Sequence, residues 1–434
     1  MRCVDEGKVR IGLMGLGTVG TGVVRLIEGH QEDLRKQTGL SVEISRILVR
    51  DTAKNRSVTV APALLTDRPE DILLDPDIDV VVEVIGGIEP TRQYLRQALS
   101  AGKHVVTANK DLMAIHGAEL LAEAESNGCD LFYEASVAGG IPILRALVEG
   151  FSSDRIKKMM GIVNGTTNFI LTKMSRERLD FSEVLAEAQR LGYAEADPTS
   201  DVDGLDAARK MAILSTLGFH VNVTLDDVEV QGISSVSPED IEYGKQLGYE
   251  IKLLGIAQRT DDMIEVSVEP TMVAQNHPLA SVHDVFNAVY VYGEAVGETM
   301  FYGPGAGELP TATAVVSDLV TVVKNMKLGV NGRGTVAPYR DKRLKSEEQK
   351  VAKHFLRFTA RDKAGVLAQI THILAEYDIS LEKVLQLPYD EGISEAILVT
   401  HFASKRAIRG VVEELKRLDV VSEVKSVYRV EEGN

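Results

Sequence analysis

An aspartate and a lysine in the stretch DVDGLDAARK, residues 201–210, are the first candidates for chemistry in this chain. On a helix, Asp206 and Lys210 stand one turn apart on the same face, so the carboxylate can hold the ammonium group. One interpretation is a solvated ion pair worth about 0.3 kcal/mol. The other is an active-site pair whose lysine transfers a proton. Spacing alone favours the solvated pair, so the decision depends on the rest of the chain.

The segment that precedes this pair is rich in carboxylates. It contains Glu195, Asp197, Asp201, Asp203 and Asp206. A calcium loop does not fit, because its twelfth position would be Lys210, where a bidentate glutamate is required. A polar cluster flanked by helices instead favours a small substrate that carries an amine or a hydroxyl group.

A second candidate site is the glycine turn GLGTVG, residues 15–20, which follows an apolar strand and opens a helix. Gly15 permits a tight turn, Gly17 lets the backbone approach a pyrophosphate, and Gly20 allows the helix to pack closely on a sheet. Thr18 and Val19 begin the helix, whose unpaired N–H groups and dipole attract phosphate. The pattern therefore predicts a dinucleotide site.

The end of the second strand bears on which dinucleotide binds. In SRILVRDTAKNRS this strand ends at Arg50, and Lys54 and Arg56 follow. A cation at this position favours the 2′-phosphate of NADP, whereas Asp51 favours NAD. We predict NADP, with NAD still possible and ordinary loop charges as the alternative.

Polar residues also follow two later strands. VVVEVIGG ends in two glycines, and HVVTANK ends with Thr107, Asn109 and Lys110. Ligands of open α/β sheets bind beyond the carboxyl ends of the strands, so Thr107 and Lys110 are candidate cofactor residues. On position alone, Lys110 is equally well explained as a surface lysine. The stretch GIVNGTTNFIL joins a strand to a helix through Gly, Asn and Thr, which are typical of a capped, ligand-facing turn.

The arrangement of strands and helices predicts how these candidates are positioned. Residues 1–135 alternate apolar strands with amphipathic helices, which predicts a parallel sheet covered on both faces. Residues 136–305 mix helices with β-rich pieces, and 331–350 have the Gly, Pro and charge of a linker. Residues 351–434 follow a β-α-β-β-α-β order. The predicted class is α/β: a Rossmann-type domain, an α+β domain and a C-terminal ferredoxin-like domain.

Length and composition limit the possible functions. A chain of 434 residues exceeds one ordinary core, and a net charge of −16 opposes binding to nucleic acid. We find no apolar run near membrane-spanning length and no secretory signal, so we expect a cytoplasmic protein without a membrane anchor. The two cysteines, Cys3 and Cys129, provide neither a disulfide framework nor a metal site, and the histidines show no ligand spacing.

Taken together, these segments resemble the homoserine dehydrogenase family, in the form that carries a C-terminal ACT regulatory domain. The resemblance runs through GLGTVG, VVVEVIGG, HVVTANK, YEASVAGGIPI, GIVNGTTNFIL, GYAEADPTSDVDGLDAARK and YGPGAGELPTA. Residues 1–135, completed by about 306–330, resemble the nucleotide domain of the family. Residues 136–305 resemble its substrate-binding and dimerisation domain. Residues 351–434 resemble the ACT domain, with Ala364 where proline is more usual.

The resemblance implies the reversible, NAD(P)-dependent interconversion of L-homoserine and L-aspartate 4-semialdehyde, in threonine, methionine and isoleucine biosynthesis. It implies that Lys210 is the general acid–base. Lys110 would lie near the nicotinamide as a second cation or the alternative proton carrier. Glu195 and Asp206 would bind the substrate ammonium group, with the Gly192 backbone nearby. We therefore interpret the Asp206–Lys210 pair as catalytic.

The family also binds a monovalent cation, usually sodium, mainly through carbonyl oxygens. The matching positions are Glu134, Val137, Gly139 and Ile141. Oxygen ligands suit a hard ion, and an ion-free turn is the alternative. Gly307 matches a residue close to the cofactor.

The resemblance further implies regulation and assembly. An amino acid, with threonine as the expected effector, would bind within residues 351–434, where Asp362 and Gly365 match the ACT pattern. A tail that serves only assembly is the alternative. The expected state is a homodimer or homotetramer.

Two other functions stay open at this level. One is another NAD(P)-dependent amino-acid semialdehyde reductase, and the other is a non-catalytic sensor of dinucleotides and amino acids. A thioester-forming dehydrogenase would need a nucleophilic cysteine, but Cys129 falls within a predicted buried strand.

Overall fold

The computed structural model describes residues 7–332 and 338–433, so Cys3 and part of the predicted linker lie outside the described residues. The strands, in chain order, are β1 (Lys8–Met14), β2 (Ser41–Leu48), β3 (Leu65–Thr66), β4 (Val80–Glu83), β5 (His104–Thr107), β6 (Leu131–Phe132), β7 (Ile156–Ile162), β8 (Glu229–Val230), β9 (Tyr249–Thr260), β10 (Met263–Ala274), β11 (Phe286–Gly293), β12 (Gly297–Pro304), β13 (Val351–Arg361), β14 (Leu381–Asp390), β15 (Ile393–Thr400), β16 (Ala403–Ser404) and β17 (Val421–Glu431).

Helices alternate with these strands through most of the chain. They are α1 (Thr18–Gly29), α2 (Gln31–Thr38), α3 (Glu70–Leu73), α4 (Thr91–Ser100), α5 (Lys110–Ser126), α6 (Ile143–Arg145), α7 (Gly165–Glu177), α8 (Phe181–Arg190), α9 (Thr199–Val202), α10 (Leu205–Phe219), α11 (Pro238–Gln246), α12 (Glu308–Leu328), α13 (Val366–Glu376) and α14 (Lys405–Arg417). None of the helices in the described ranges has the length and hydropathy needed to cross a membrane.

The chain forms two compact units, each assembled from separate segments. The first unit comprises Met1–Ile156, Ala212–Asp226 and Gly293–Asp341. The second unit comprises Lys157–Met211, Asp227–Tyr292 and Lys342–Asn434. Residues 338–350 of the predicted linker form single β-bridges at Arg340 and Leu344.

The first unit is built on a parallel sheet with the strand order β3-β2-β1-β4-β5-β6. This is the order of a doubly wound dinucleotide-binding sheet. All four residues of β4 are buried, as are most of β1, because helices cover both faces of the sheet. The predicted Rossmann-type sheet is confirmed.

Helix α12 packs on helix α1 within the first unit, although the two are far apart in sequence. A Cβ atom on Gly22 would lie 2.6 Å from the Glu308 carbonyl oxygen and 2.8 Å from the Ala312 Cβ, so only glycine permits this approach. Val23 and Leu319 belong to the same buried cluster. The late helix thus completes the core that the first strands begin.

The second unit contains a sheet in which β11, β7, β9, β10, β17, β13, β15 and β14 follow one another. The predicted β-α-β-β-α-β order of the C-terminal region is confirmed, with α13 and α14 packed on one face through residues such as Ile370 and Val411. Strand β17 also pairs in parallel with β10, through Met272 and Val430 among others. The C-terminal domain therefore continues the sheet of the middle region, which the sequence patterns did not predict.

A buried cluster of polar side chains connects helix α11 to the C-terminal strands. We call it the Asp240 network, and it consists of Asp240, Tyr243, Arg357, Glu395, Ser426 and Tyr428. Arg357 lies 2.9 Å from Asp240 and 3.5 Å from Glu395, as ion pairs between side chains that are each at most 7% exposed. Hydroxyl groups of Tyr428 and Ser426 donate to Asp240 at 2.9 and 2.6 Å, and that of Tyr243 donates to Glu395 at 2.6 Å.

Candidate active site

A cleft of about 610 Å³ opens in the first unit at the carboxyl ends of β1, β2 and β4. Its lining includes Gly15, Gly17, Arg50, Gly86 and Gly87. This is the edge of an open α/β sheet at which ligands bind. The cleft therefore coincides with the predicted dinucleotide site.

The glycine turn shapes one wall of this cleft. Gly15 has a φ of +107°, and a Cβ atom on Gly20 would lie 2.2 Å from the Gly15 carbonyl oxygen. Gly17 is exposed, with open space where a Cβ atom would lie, and no side chain caps helix α1, which begins at Thr18. The first amides of α1, including that of the half-buried Val19, can thus donate to a bound phosphate. The turn fits a pyrophosphate.

A buried carboxylate, which sequence reasoning missed, supports the turn after β4. Glu83 is fully buried, and its side chain accepts the N–H groups of Ile85 at 2.8 Å and Gly86 at 2.9 Å. The Thr107 hydroxyl donates to the same carboxylate at 2.5 Å. Burial raises the pKa of Glu83 above its ordinary value, and these hydrogen bonds oppose the rise. A single acid in the apolar run VVVEVIGG was the signal that could have revealed it.

Thr107, which the sequence predicted to contact the cofactor, instead forms a hydrogen bond with the buried Glu83 carboxylate. Thr107 is fully buried under the turn after β4, rather than among the residues that line the cleft. Asn109 donates from its side-chain amide to the Gly87 carbonyl at 2.7 Å and accepts the Leu112 N–H at 3.1 Å, which caps helix α5. Lys110 is half-buried and is the first residue of that helix, two residues after Ala108, which follows the end of β5.

The loop after β2 is folded by its own charged residues. Strand β2 ends at Leu48, two residues before the expected end, and Arg50 lies exposed on the cleft wall. The Arg56 guanidinium donates to the carbonyl groups of Asp51 and Lys54. The Asp51 carboxylate accepts the Ala53 N–H at 2.8 Å, within the loop itself. Arg56 therefore holds the loop that carries Arg50 and Lys54.

The Asp206–Lys210 pair lies in the second unit and is not solvated. Lys210 Nζ donates to Asp206 Oδ2 and to the Val163 carbonyl, both at 2.6 Å. The two side chains are only 12% and 6% exposed. Because water is largely excluded, the interpretation as a solvated surface pair is wrong.

The other predicted substrate residues lie on the loop between α8 and α9 of the second unit. Gly192 has a φ of +76° and is exposed, as is Glu195. In the described part of the chain the Glu195 carboxylate forms no ion pair. The Thr166 hydroxyl donates to the Tyr193 carbonyl at 2.7 Å, which ties this loop to the start of α7. The structure thus joins Asp206 to Lys210 and leaves Glu195 on an open loop.

The predicted cation loop is a tight turn in the first unit. Glu134 is buried, and its carboxylate accepts the N–H groups of Leu144 and Arg145 at 2.8 Å each. Gly139 has a φ of +53°, and a Cβ atom there would lie 2.4 Å from the Gly305 carbonyl oxygen. The Glu134 N–H donates to Asp318 at 2.8 Å, which ends β6 earlier than the sequence pattern indicated.

The oxygens of this loop differ in what they already bind. Val137 and Ile141 are buried, and the Ile141 carbonyl accepts the Ile143 N–H at 2.8 Å. Within residues 7–332 and 338–433, no hydrogen bond is made to the carbonyl oxygens of Val137 or Gly139. The same residues contain no group of three or more His, Cys, Asp and Glu side chains that could hold a metal ion. A cation bound here would thus depend on main-chain carbonyls.

Two remaining residues complete the comparison with the sequence. Gly307 has a φ of +127°, is exposed and immediately precedes helix α12. Cys129 is buried and lies just before β6 rather than within a strand. Burial raises the pKa of its thiol to about 11, so a nucleophilic thiolate is disfavoured.

A doubly wound parallel sheet, a glycine turn that fits a pyrophosphate and a cleft at the strand ends define a dinucleotide-binding protein of the Rossmann type. Family models identify the particular family. Residues 15–134 match "Homoserine dehydrogenase, NAD binding domain", residues 142–320 match "Homoserine dehydrogenase", and residues 354–420 match "ACT domain".

Individual relatives agree with the family models. The chain is 60% identical to the homoserine dehydrogenase of Bacillus subtilis (strain 168), over 98% of this chain and 99% of the relative. The crystal structure of a homoserine dehydrogenase from Thiobacillus denitrificans superposes with a TM-score of 0.93 at 41% identity, over 98% of both chains. A hyperthermophilic archaeal homoserine dehydrogenase in complex with NADPH gives a TM-score of 0.61 at 27% identity, over 75% of this chain and 100% of that one.

The chain therefore belongs to the homoserine dehydrogenase family and carries its ACT domain. It is an NAD(P)-dependent dehydrogenase that reversibly reduces L-aspartate 4-semialdehyde to L-homoserine. Identity at this level over the full length confirms the predicted homoserine dehydrogenase function. It disfavours another amino-acid semialdehyde reductase and a non-catalytic sensor.

Proposed function

We propose that Lys210 is the general acid–base of this reaction. In the direction of reduction, the Lys210 ammonium would donate a proton to the carbonyl oxygen, and bound NAD(P)H would supply the hydride to the aldehyde carbon. The reverse reaction needs neutral Lys210 to take the hydroxyl proton as hydride leaves. The observation that carries this proposal is the buried Asp206–Lys210 contact at 2.6 Å, which holds one amine in a single position. A fixed donor in a poorly hydrated site lowers the barrier to forming an alkoxide.

We further propose how the substrate amino acid is held. Asp206 already accepts hydrogen bonds through Oδ2, so Glu195 is the main carboxylate for the substrate ammonium group, with Asp206 contributing charge. The left-handed backbone at Gly192 lets the loop present a carbonyl group there. Lys110 acts as the second cation near the nicotinamide, because it follows the strand end next to the Gly87 turn.

One assay tests both the dehydrogenase activity and the proposed cation. Purified protein with L-homoserine and NADP⁺ at alkaline pH should produce NADPH, measured by its absorbance. The same assay in sodium-containing and sodium-free choline buffer tests the cation that we propose at Glu134, Val137, Gly139 and Ile141. We expect lower activity without sodium, because the carbonyl oxygens of Val137 and Gly139 accept no hydrogen bond within the described residues and are left for the ion to bind. Equal activity in both buffers would argue against the ion.

We propose a preference for NADP over NAD. Arg50 and Lys54 line the cleft, whereas the Asp51 carboxylate is engaged by its own loop. Two cations at the end of β2 favour a 2′-phosphate. The relative described as a complex with NADPH supports the same preference.

Replacing Arg50 with alanine should raise the KM for NADP⁺ by at least about ten-fold, the loss expected for one charged hydrogen bond. The KM for NAD⁺ should stay within about two-fold, because NAD lacks the phosphate. Lys8→Ala is the matched control, since Lys8 is an exposed cation at the opposite end of β1. Equal changes in both KM values would contradict a role in reading the 2′-phosphate.

We propose that the ACT domain binds an amino-acid effector, with threonine as the inhibitor. Asp362 is exposed and lies near Gly365, which has a φ of +88° and immediately precedes helix α13. Truncation near residue 335 is not a clean test, because it removes β17 and exposes the edge of β10. A point substitution is needed.

Asp362→Ala should raise the threonine concentration for half-inhibition by about ten-fold or more, through loss of a carboxylate that binds the effector ammonium. The uninhibited kcat should not change. Asp419→Ala, another exposed aspartate of this domain, is the control. Unchanged sensitivity in the Asp362 variant would place the effector elsewhere.

We also propose a cytoplasmic homo-oligomer, a dimer or tetramer. Val296, Met300 and Tyr302, at and next to β12, expose 56%, 38% and 53% of their surface. Apolar groups clustered in this way favour a protein partner, here a second copy of the chain. Light scattering that gives the mass of a single chain would contradict this.

A further inference from the structure

Asn164 uses its entire side-chain amide in hydrogen bonds. It is 6% exposed and lies between β7 and α7. Its oxygen accepts the N–H and the hydroxyl group of Thr167, both at 2.9 Å, which caps helix α7. Its nitrogen donates to Asp201 at 2.7 Å and to Asp206 at 2.9 Å. Because an amide offers two donors and two acceptor positions, this side chain is fully satisfied.

The contact with Asp206 bears directly on Lys210. The Asp206 oxygen that accepts from Asn164 is Oδ2, the same atom that accepts from Lys210. The second acceptor of the Lys210 ammonium is the carbonyl of Val163, the residue immediately before Asn164. One short segment at the end of β7 therefore fixes both the carboxylate and the amine.

The charges explain why an amide suits this position. Asp201 and Asp206 both face the Asn164 nitrogen, and two carboxylates that share a site repel each other. The amide bridges them without adding charge. An aspartate there would preserve the helix cap, remove both donors and introduce a third carboxylate.

We propose that Asn164 is a positioning residue for catalysis, which holds Asp206 in the orientation that places and tunes the Lys210 amine. This inference rests on the proposed role of Lys210. It assigns a function to one residue of a turn that the sequence predicted only to be capped and ligand-facing. Asn164 acts through Asp206 and not on the substrate itself.

The test is the pH dependence of homoserine oxidation in the Asn164→Asp enzyme. Because oxidation needs the neutral amine of Lys210, we expect kcat for homoserine oxidation to rise with pH. The added negative charge favours the ammonium form of Lys210. The rise of kcat with pH should therefore move to higher pH by about one unit, and at pH values below this rise kcat should be about ten-fold lower than in the unsubstituted enzyme. The KM for NADP⁺ should stay within about two-fold. Asn164→Ser, whose hydroxyl can still cap α7, should show a smaller shift in the same direction.

Controls separate this role from simple destabilisation. Ser404→Ala removes the cap of helix α14, where Ser404 accepts the Ala407 N–H at 3.2 Å, and should leave the pH profile unchanged. If Asn164→Ser and Asn164→Asp lose activity without any shift of the profile, Asn164 is only structural and the inference fails. A normal kcat and profile in both variants would also overturn it, while an inactive Lys210→Ala enzyme would leave the proposed function standing. Normal turnover of Lys210→Ala would instead reject the proposed function.

Discussion

We expect Lys210→Ala to lower kcat for homoserine oxidation by roughly a thousand-fold, within the range that positioned general acid–base groups contribute. The variant retains Asp206 but has no group to take the hydroxyl proton as hydride leaves. The KM for NADP⁺ should stay within about two-fold, because Lys210 is not among the residues that line the dinucleotide cleft. Steady-state kinetics with varied homoserine and NADP⁺ separate the two effects.

Lys173 provides a closely matched control for this substitution. It lies on helix α7 of the same unit and pairs with Glu177, also at i,i+4, and with Glu187 at 2.5 Å. Its side chain is 18% exposed, against 12% for Lys210. Lys173→Ala should keep its turnover, so a large loss in the Lys210 variant alone would not reflect the loss of a buried ion pair. Near-normal kcat in Lys210→Ala would refute the proton-transfer role.

We also expect a large loss of stability when Arg357, in the Asp240 network, is replaced with alanine. Arg357→Ala leaves Asp240 and Glu395 buried without their shared cation. Removing one partner of a buried ion pair costs about 3–5 kcal/mol in the free energy of unfolding. We expect a midpoint of thermal unfolding lower by roughly 10 °C, measured by calorimetry. Because the network joins α11 to the C-terminal strands, the proposed inhibition by threonine should also weaken.

Two further variants make this prediction specific. Arg361→Ala, at an exposed position on the same strand, should lower the midpoint by much less. Adding Asp240→Asn to Arg357→Ala should recover part of the loss, because it removes one of the stranded charges. A midpoint for Arg357→Ala equal to that of Arg361→Ala would mean that the network does not stabilise the fold.

Several local features were predictable from the sequence alone. The glycine turn at 15–20 was predictable, because its backbone requirements depend only on neighbouring residues. The order of strands and helices was also predictable, because buried apolar residues recur at a different period in a helix than in a strand. The pairing of Asp206 with Lys210 was also predictable, since one helical turn separates them. A capped turn was likewise predicted in GIVNGTTNFIL, and the structure shows that Asn164 provides the cap.

Tertiary structure alone decided the contacts that position these groups. Thr107 reaches Glu83 across 24 residues, and Lys210 reaches the Val163 carbonyl across 47. The pairing of β10 with β17, and hence the union of the C-terminal and middle sheets, likewise has no local signal. Such contacts depend on which strands become neighbours and in what register, and one residue of slip turns every side chain to the other face. Short-range patterns therefore predicted which residues carry the chemistry, and the packing of distant segments decided which partners hold them.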